Sequence, residues 1–397
     1  MINKIKKFNL CLGCGLCSSI IEEKCDIRLN EQTGFYEPII KSELEPCEQN
    51  LLKNLCPGIN VVGDKNTGVW GALEDVYEAW SSDSDIRYKS ASGGVVTSLA
   101  VYLIESKEVD AVLQVGVCKD DYLHNELHES FTKEDVLRNS QSRYAPALVF
   151  DKIKKILDQS SRIYAFVGKP CDIAAMQNFC REFPLYKKRI KYYISIFCAG
   201  MPSYIATEKL WKESKHLDSP ISLKYRGDGW PGNFVAKFAD GSDFVKSYND
   251  SWGAVLGRHL GFRCKICPDG IGLLADISVG DSWNTKDGYP DFTDADGKCF
   301  CMIRTRNGVN LFNRAAENGY IVNNPLDVSR IKDMQRYQYD RRKLVGWRLL
   351  PVLVYSGFLV KFKNLNIWNQ ALSAPFILGL RNMWGTIKRM QKIKSKS

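Results

Sequence analysis

Past residue 62 the chain alternates short, continuously apolar runs with stretches of amphipathic character. The runs Val109 to Val117, Arg162 to Val167, Lys191 to Phe197 and Ala275 to Val279 are short and apolar on both faces, which predicts buried strands. Val95 to Ser106 and Ile173 to Phe183 read as helices, and the alternation predicts an α/β sheet covered by helices. Residues 221–250 are punctuated by Gly227, Gly229, Pro231, Gly232 and Gly241 and predict a hairpin insertion rather than another helical crossover. The sequence shows no internal repeat and no apolar stretch long enough to span a bilayer.

The first sixty residues are rich in cysteine and end at Cys56-Pro57-Gly58, after which Val61 to Thr67 reads as a polar connector. A boundary is therefore expected near residue 62. A length of 397 residues fits two or three folded units. The opening MINKIKKFNL lacks an apolar signal core, which predicts a cytoplasmic protein. In a reducing compartment, 14 cysteines point to metal ligation or redox chemistry before disulfides. The net charge of +10 is concentrated beyond Arg341, where basic residues occur without a single acid; the body is nearly neutral, and a nucleic-acid face is not expected.

Cys11, Cys14 and Cys17 form C-x2-C-x2-C around Gly13 and Gly15, with Cys56-Pro57 downstream. This spacing wraps a short loop around three corners of a 4Fe-4S cluster while a remote Cys-Pro closes the fourth. The small residues let backbone N–H groups approach the sulfurs. A zinc knuckle is the alternative, though three cysteines at successive two-residue gaps are unusual for one. Cys25 and Cys47 read as buried thiols or a degenerate second site.

Two predicted strands run directly into cysteine, at Gly168-Lys169-Pro170-Cys171 and Phe197-Cys198-Ala199-Gly200. If the strands lie parallel, both thiols project from the carboxyl edge of the sheet, where open α/β sheets place ligands. With Cys264 and Cys267 of a C-x2-C turn they make a second candidate 4Fe-4S set; by spacing alone the pair also suits zinc, and the lone cysteines also suit a core. Cys118, Cys180, Cys299 and Cys301 are read as structural thiols.

Assembled, these motifs resemble the coenzyme F420 hydrogenase/dehydrogenase beta-subunit family. The likeness rests on Cys11 to Cys17, Cys56-Pro-Gly58, Ser90-Ala-Ser-Gly-Gly-Val-Val96, Gly168-Lys-Pro-Cys-Asp-Ile173, Phe197-Cys-Ala-Gly200, Arg263-Cys-Lys-Ile-Cys-Pro-Asp269 and Ala275-Asp-Ile-Ser-Val-Gly-Asp281, in the family's order over about residues 8–285. It departs at Lys169, where relatives usually carry Thr, and in the basic tail. The resemblance implies FAD, one or two 4Fe-4S clusters, and electron or hydride exchange with a partner such as ferredoxin or a reduced coenzyme, acting on a small-molecule substrate. Many bacterial relatives stand in polysaccharide gene clusters, which implies a role in polysaccharide biosynthesis. The implied layout is a ferredoxin-like 4Fe-4S module over 1–62, a mixed α/β domain for FAD and iron-sulfur over 63–335, and a basic helical extension over 336–397. A non-catalytic electron-transfer subunit is the rival reading, and a zinc-stabilised interaction module the third.

For the flavin, Ser92, Gly93 and Gly94 precede a helical run and are candidates to bring backbone N–H groups to a phosphate; an ordinary glycine turn is the alternative. Ser142, Arg143 and Tyr144 resemble the family segment that approaches FAD, with Arg143 facing pyrophosphate or the reduced ring. Lys169 is a candidate for the anionic edge of the flavin. Tyr225-Arg226-Gly-Asp-Gly-Trp230 suits either a substrate mouth or a hairpin core. No histidine motif, Walker loop or Ser-His-Asp pattern is present, and His124 and His128 read as a solvated helix face. The apolar Leu349 to Val360 contains Pro351 and is too short to cross a membrane. With Trp347, Trp368, Trp384 and the surrounding Lys/Arg, the tail reads as a helical appendage packed on the body with solvated lysines. The alternative is peripheral contact with the inner face of an anionic membrane, which would suit work on lipid-linked sugars.

Overall fold

The computed structural model describes residues 1–64, 68–119, 121–216, 218–357 and 360–395. Its centre is a mixed eight-stranded sheet in the order Ile321–Pro325, Asp75–Ser81, Cys299–Ile303, Ile277–Asp281, Ile190–Ile196, Tyr164–Gly168, Ala111–Cys118 and Asp121–Ser130. The four strands expected from the apolar runs are all present. They are mutually parallel, and antiparallel strands flank them on both sides. Their apolar character follows from burial on both faces. Ala111, Leu113, Tyr164 and Phe166 face one core, while Val112 and Ala165, on the other side of the pleat, face a second core with the helices Val95–Glu105 and Arg306–Glu317.

Gly168, Ile196 and Asp281 end neighbouring parallel strands at the same edge of the sheet. The helix Pro170–Glu182 begins at once behind Gly168. Pro170 occupies its first turn, and Asp172 accepts the backbone N–H of Lys169 at 3.1 Å. Residues 221–250 form a three-stranded antiparallel sheet of Ser222–Lys224, Phe234–Lys237 and Asp243–Lys246, set over that edge. His124 and His128 lie in the strand Asp121–Ser130 and not on a helix. His124 pairs with Asp121 and His128 bonds the Val117 carbonyl at 2.9 Å, so the four-residue spacing reflects a strand of period two.

The amino-terminal segment holds helices Ile2–Lys7, Leu16–Ile20 and Pro46–Leu55 and the hairpin Cys25–Asn30/Phe35–Ile40. Part of the expected polar connector is ordered as strand: Asn60–Val62 pairs in parallel with Lys361–Lys363; Lys65 to Thr67 lie outside the described residues. Leu10, Leu16, Leu52 and Leu55 share one apolar core with Phe166, Ile173, Val345, Leu349 and Met390, so the first segment, the sheet and the tail are packed together. The tail consists of Arg336–Ser356, Ile367–Leu372 and Phe376–Lys394. The apolar run from Leu349 ends the first of these helices, and its residues 358 and 359 lie outside the described residues. No described helix is long and apolar enough to cross a membrane.

Candidate redox site

Cys11, Cys14, Cys17 and Cys56 line one cavity beneath the first helix. Gly13 and Gly15 adopt φ of 65° and 85°, the left-handed region where a side chain is costly. The turn they make aims backbone N–H groups at sulfur: Gly13 donates to Cys11 at 3.3 Å, and Leu16 N–H faces Cys14. The N–H groups of Gly58 and Ile59 favour the Cys56 thiolate. Burial nevertheless dominates, pushing Cys11 up to about 12 and raising Cys14 and Cys56 as well. Cys25 is buried against Cys17, and Cys47 is exposed.

The second set also comes together. Cys171, Cys198, Cys264 and Cys267 line a single cavity, drawn from two adjacent parallel strand ends and the C-x2-C turn. Cys171 sits in the first turn of its helix, where the dipole favours a thiolate. Burial pushes Cys198 up to about 12 and raises Cys171 and Cys264. Three cations line the same cavity. Lys169 pairs with Asp172 at 2.7 Å; burial opposes its charge, but Asp172 and the neighbouring thiols outweigh it and hold the ammonium above the usual lysine range. Arg263 donates to the carbonyls of Gly58 at 2.6 Å and Pro57 at 2.8 Å, and Arg341 to those of Cys198 at 2.8 Å and Ala199 at 2.5 Å. Arg263 Nη1 and Arg341 Nε are buried without a hydrogen-bond partner. Four thiols around one cavity, three of them held protonated by burial unless metal displaces the proton, beside two incompletely satisfied arginines, fit an anionic metal cluster. Among the described residues no group of three or more His, Cys, Asp or Glu side chains is placed to hold a metal ion.

Beside the second cavity lies a cleft of about 320 Å³, within the size range of small-molecule sites. Ser92, Gly94, Ser142, Arg143, Tyr144 and Lys169 all line it. Gly94 has φ 78° at the start of the helix Val95–Glu105, whose first N–H, that of Val95, faces Cys299 Sγ. Gly93 plays a different part from the one expected. Its N–H donates to Cys299 Sγ at 3.2 Å, and a Cβ would stand 2.9 Å from both Ala79 O and Cys299 N, so the glycine serves strand-to-loop contact. Cys299, read as structural, also lines the cleft.

Arg143 is committed within the protein, donating to Asn125 at 2.6 Å, Leu223 O at 3.0 Å and Tyr122 O at 2.9 Å. It staples the cleft-lining loop to the edge strand and the inserted sheet through neutral acceptors, which leaves its charge unpaired at the cleft. Arg226 is the buried cation of the wall: it pairs with Asp281 at 3.1 Å, reaches Tyr144 OH at 3.3 Å and lies against the rings of Tyr248 and Trp283. Trp230 stacks on Trp283 at 4.5 Å and donates to Asp281, so the Tyr225–Trp230 segment supplies both wall and inserted-sheet core.

Asp281, Tyr248, Trp252, Trp283, Gln335 and Gln338 line the cleft but were not candidates from sequence. A signal existed for Asp281, at the carboxyl end of a predicted parallel strand. None existed for Gln338, whose Oε1 is buried and unpartnered in a tail helix read as an appendage.

Residues 76–154 match the family model of the coenzyme F420 hydrogenase/dehydrogenase beta subunit N-terminus, and residues 161–329 that of its C-terminus. Among curated relatives, an uncharacterised protein of Methanocaldococcus jannaschii is 27% identical over 63% of this chain and 66% of its own length. The F420-dependent formate dehydrogenase 1 subunit beta of Methanococcus maripaludis is 28% identical over 62% of this chain and 60% of its own. The coenzyme F420 hydrogenase subunit beta of Methanococcus voltae is 24% identical over 72% of this chain and 99% of its own. The chain thus spans about two thirds or less of the length of the first two. A solved chain of the F420-reducing [NiFe] hydrogenase complex from Methanosarcina barkeri shares the fold, with a TM-score of 0.55 at 19% identity over 72% of this chain and 96% of that one. The chain belongs to the coenzyme F420 hydrogenase/dehydrogenase beta-subunit family.

Proposed function

We propose that this protein is an iron-sulfur flavoprotein oxidoreductase, with a 4Fe-4S cluster in each thiol-lined cavity and FAD in the cleft. The observation that carries the reading is that the three spaces share walls in series. Leu12 and Cys14 border both thiol cavities, and Ala147, Lys169, Asp172, Cys198, Gly200 and Met201 border both the second cavity and the cleft.

In this reading the first cluster, in a ferredoxin-like module, is held by Cys11, Cys14, Cys17 and Cys56, and the second by Cys171, Cys198, Cys264 and Cys267. When bound, FAD supplies the exchange of an electron pair with a substrate for the single electrons that iron-sulfur clusters carry. Arg263 touches the loop of the first tetrad and the wall of the second, balancing thiolate charge at both. Lys169, held by Asp172, stands at the boundary between second cavity and cleft and presents positive charge to the flavin edge. Gly94 and the following helix N-terminus face phosphate, Tyr144 and the Arg226–Asp281 pair close the cleft wall, and the aromatic rings exclude water. Electrons arrive from a redox partner such as ferredoxin or a reduced coenzyme.

The relatives are named as subunits of larger enzymes, which favours one second reading: an electron-transfer subunit without a substrate of its own. Anaerobic purification with iron, sulfide and flavin quantitation tests the cofactors. Cys14→Ala is expected to lower iron by about half and leave flavin in place; unchanged iron, or zinc in its stead, ends the proposal. Flavin that no small oxidant or reductant reaches would favour the subunit reading.

A further inference from the structure

The three tail helices lie beyond residue 329, where the family match ends. They are packed on the body, as an appendage should be, through buried Arg341 and Arg342 and through Val345, Leu349, Val352 and Met390. Their outward side carries exposed lysines, as such an appendage would, and with them a concentration of exposed apolar side chains that solvation does not explain. The segment from Leu350 to Trp384 holds ten of the 22 large apolar side chains exposed among the described residues. Leu372 is 84% exposed, Val354 79% and Ile377 76%. Scattered exposed hydrophobes need no explanation, but a concentration of this kind marks a contact surface.

The helices Arg336–Ser356 and Phe376–Lys394 run side by side in the same direction, tied by Trp347 on Phe376 at 5.5 Å, Arg348 to Asn382 at 2.9 Å and Tyr355 to Gln391 at 3.4 Å. Along the second, Ile377, Leu380 and Trp384 recur at helical spacing and are all exposed. Exposed Arg381, Lys388 and Lys392 interleave with them, and Lys388 lies 5.7 Å over the Trp384 ring. Beyond Asp340 the sequence contains no acidic residue.

We propose that this outward face of the tail lies in the plane of an anionic lipid bilayer, with Ile377, Leu380 and Trp384 entering the interface and the interleaved Lys/Arg meeting lipid phosphates. An apolar stripe carrying tryptophan, whose charged neighbours are all cations, has the composition of an interfacial helix. A protein groove would satisfy the apolar stripe but gives no reason for the complete exclusion of acids. No described helix can cross a bilayer, so the tail lies on the surface.

The intact holoprotein is floated with vesicles of phosphatidylcholine alone and with vesicles containing about one third phosphatidylglycerol, a fraction chosen to give a strongly anionic surface. Most of the protein is expected to float with the anionic vesicles and little with the neutral ones, and 0.5 M salt, about three times physiological strength, should reduce the bound fraction several-fold. Ile377→Glu with Trp384→Glu should abolish flotation while iron and flavin content stay at wild-type levels, which shows that the chain has folded. No flotation by the wild type overturns the proposal. So does flotation that the double variant retains, or a dimer in solution that the double variant dissolves, which would make the face an interface between copies. Loss of cofactors in the wild type would refute the redox reading and leave this one standing.

Discussion

Gly58 shows how much a single residue carries at the first tetrad. A Cβ there would stand 2.4 Å from the Leu10 carbonyl oxygen and 3.3 Å from Cys56 Sγ. The obstacle is backbone and cannot step aside, so Gly58→Ala must push the Cys56 loop away from the Cys11–Cys17 turn. It is expected to cost about half of the iron with flavin retained, read from the iron-to-flavin ratio of anaerobic protein; an unchanged ratio would separate the loop from metal binding. Sequence made the four cysteines here legible because their chemistry is local, three of them within one turn-sized motif. Arg143 and Arg226 were different. Both are cations near aromatic residues in the sequence, and only the partners around them show that the first staples neutral acceptors at the cleft wall while the second is paired there with Asp281.

Among the elements, Glu108 joins three. It accepts from Tyr102 of the helix Val95–Glu105 at 3.1 Å, from Lys191 and Tyr192 of the strand Ile190–Ile196 at 3.3 and 2.5 Å, and from Arg314 of the helix Arg306–Glu317 at 2.9 Å. Burial pushes its pKa up, but Tyr192, Lys191 and Arg314 outweigh that and hold the carboxyl below the usual glutamate range. With a depressed folded-state value, its stabilisation is complete above the unfolded value of about 4.3 and is withdrawn as pH falls below it. Glu108→Gln should therefore cost about 2 kcal/mol at neutral pH and much less at pH 3, measured by urea unfolding at both; an equal loss at the two pH values would count against the charge. The element types around it were legible because strands buried on both faces must be apolar throughout. The strand Asp121–Ser130 was not, since as a sheet edge it keeps alternating polar residues that also suit a helix.

At the scale of the molecule the consequential feature is the insertion of the tail into the candidate redox site. Arg341 closes the second cavity through the Cys198 and Ala199 carbonyls, and Arg342 ties Val69, Pro268 and Leu365 together at 3.0, 2.9 and 2.7 Å. Arg341→Gln removes a cation facing four thiols and frees two carbonyls that shape the loop. On the proposed function it should shed the second cluster, about half the iron, while the spectroscopic signal of the first persists; loss of both together would show one cooperative site.

What the sequence determined on its own is the chemistry that depends on neighbours along the chain. The C-x2-C-x2-C turn with its glycines, the strands that run into cysteine, and the helix starts behind them all follow from local spacing and from the periods of strand and helix. Tertiary structure decided what depends on distance through space. It brought Cys171, Cys198, Cys264 and Cys267 around one cavity, placed that cavity between the first tetrad and the cleft, and turned a basic tail into part of the site on one side and an apolar surface on the other. The physical reason is that pattern records which face of an element is buried, whereas the identity of the surface burying it is set only when the sheet, the amino-terminal segment and the tail close over a common core.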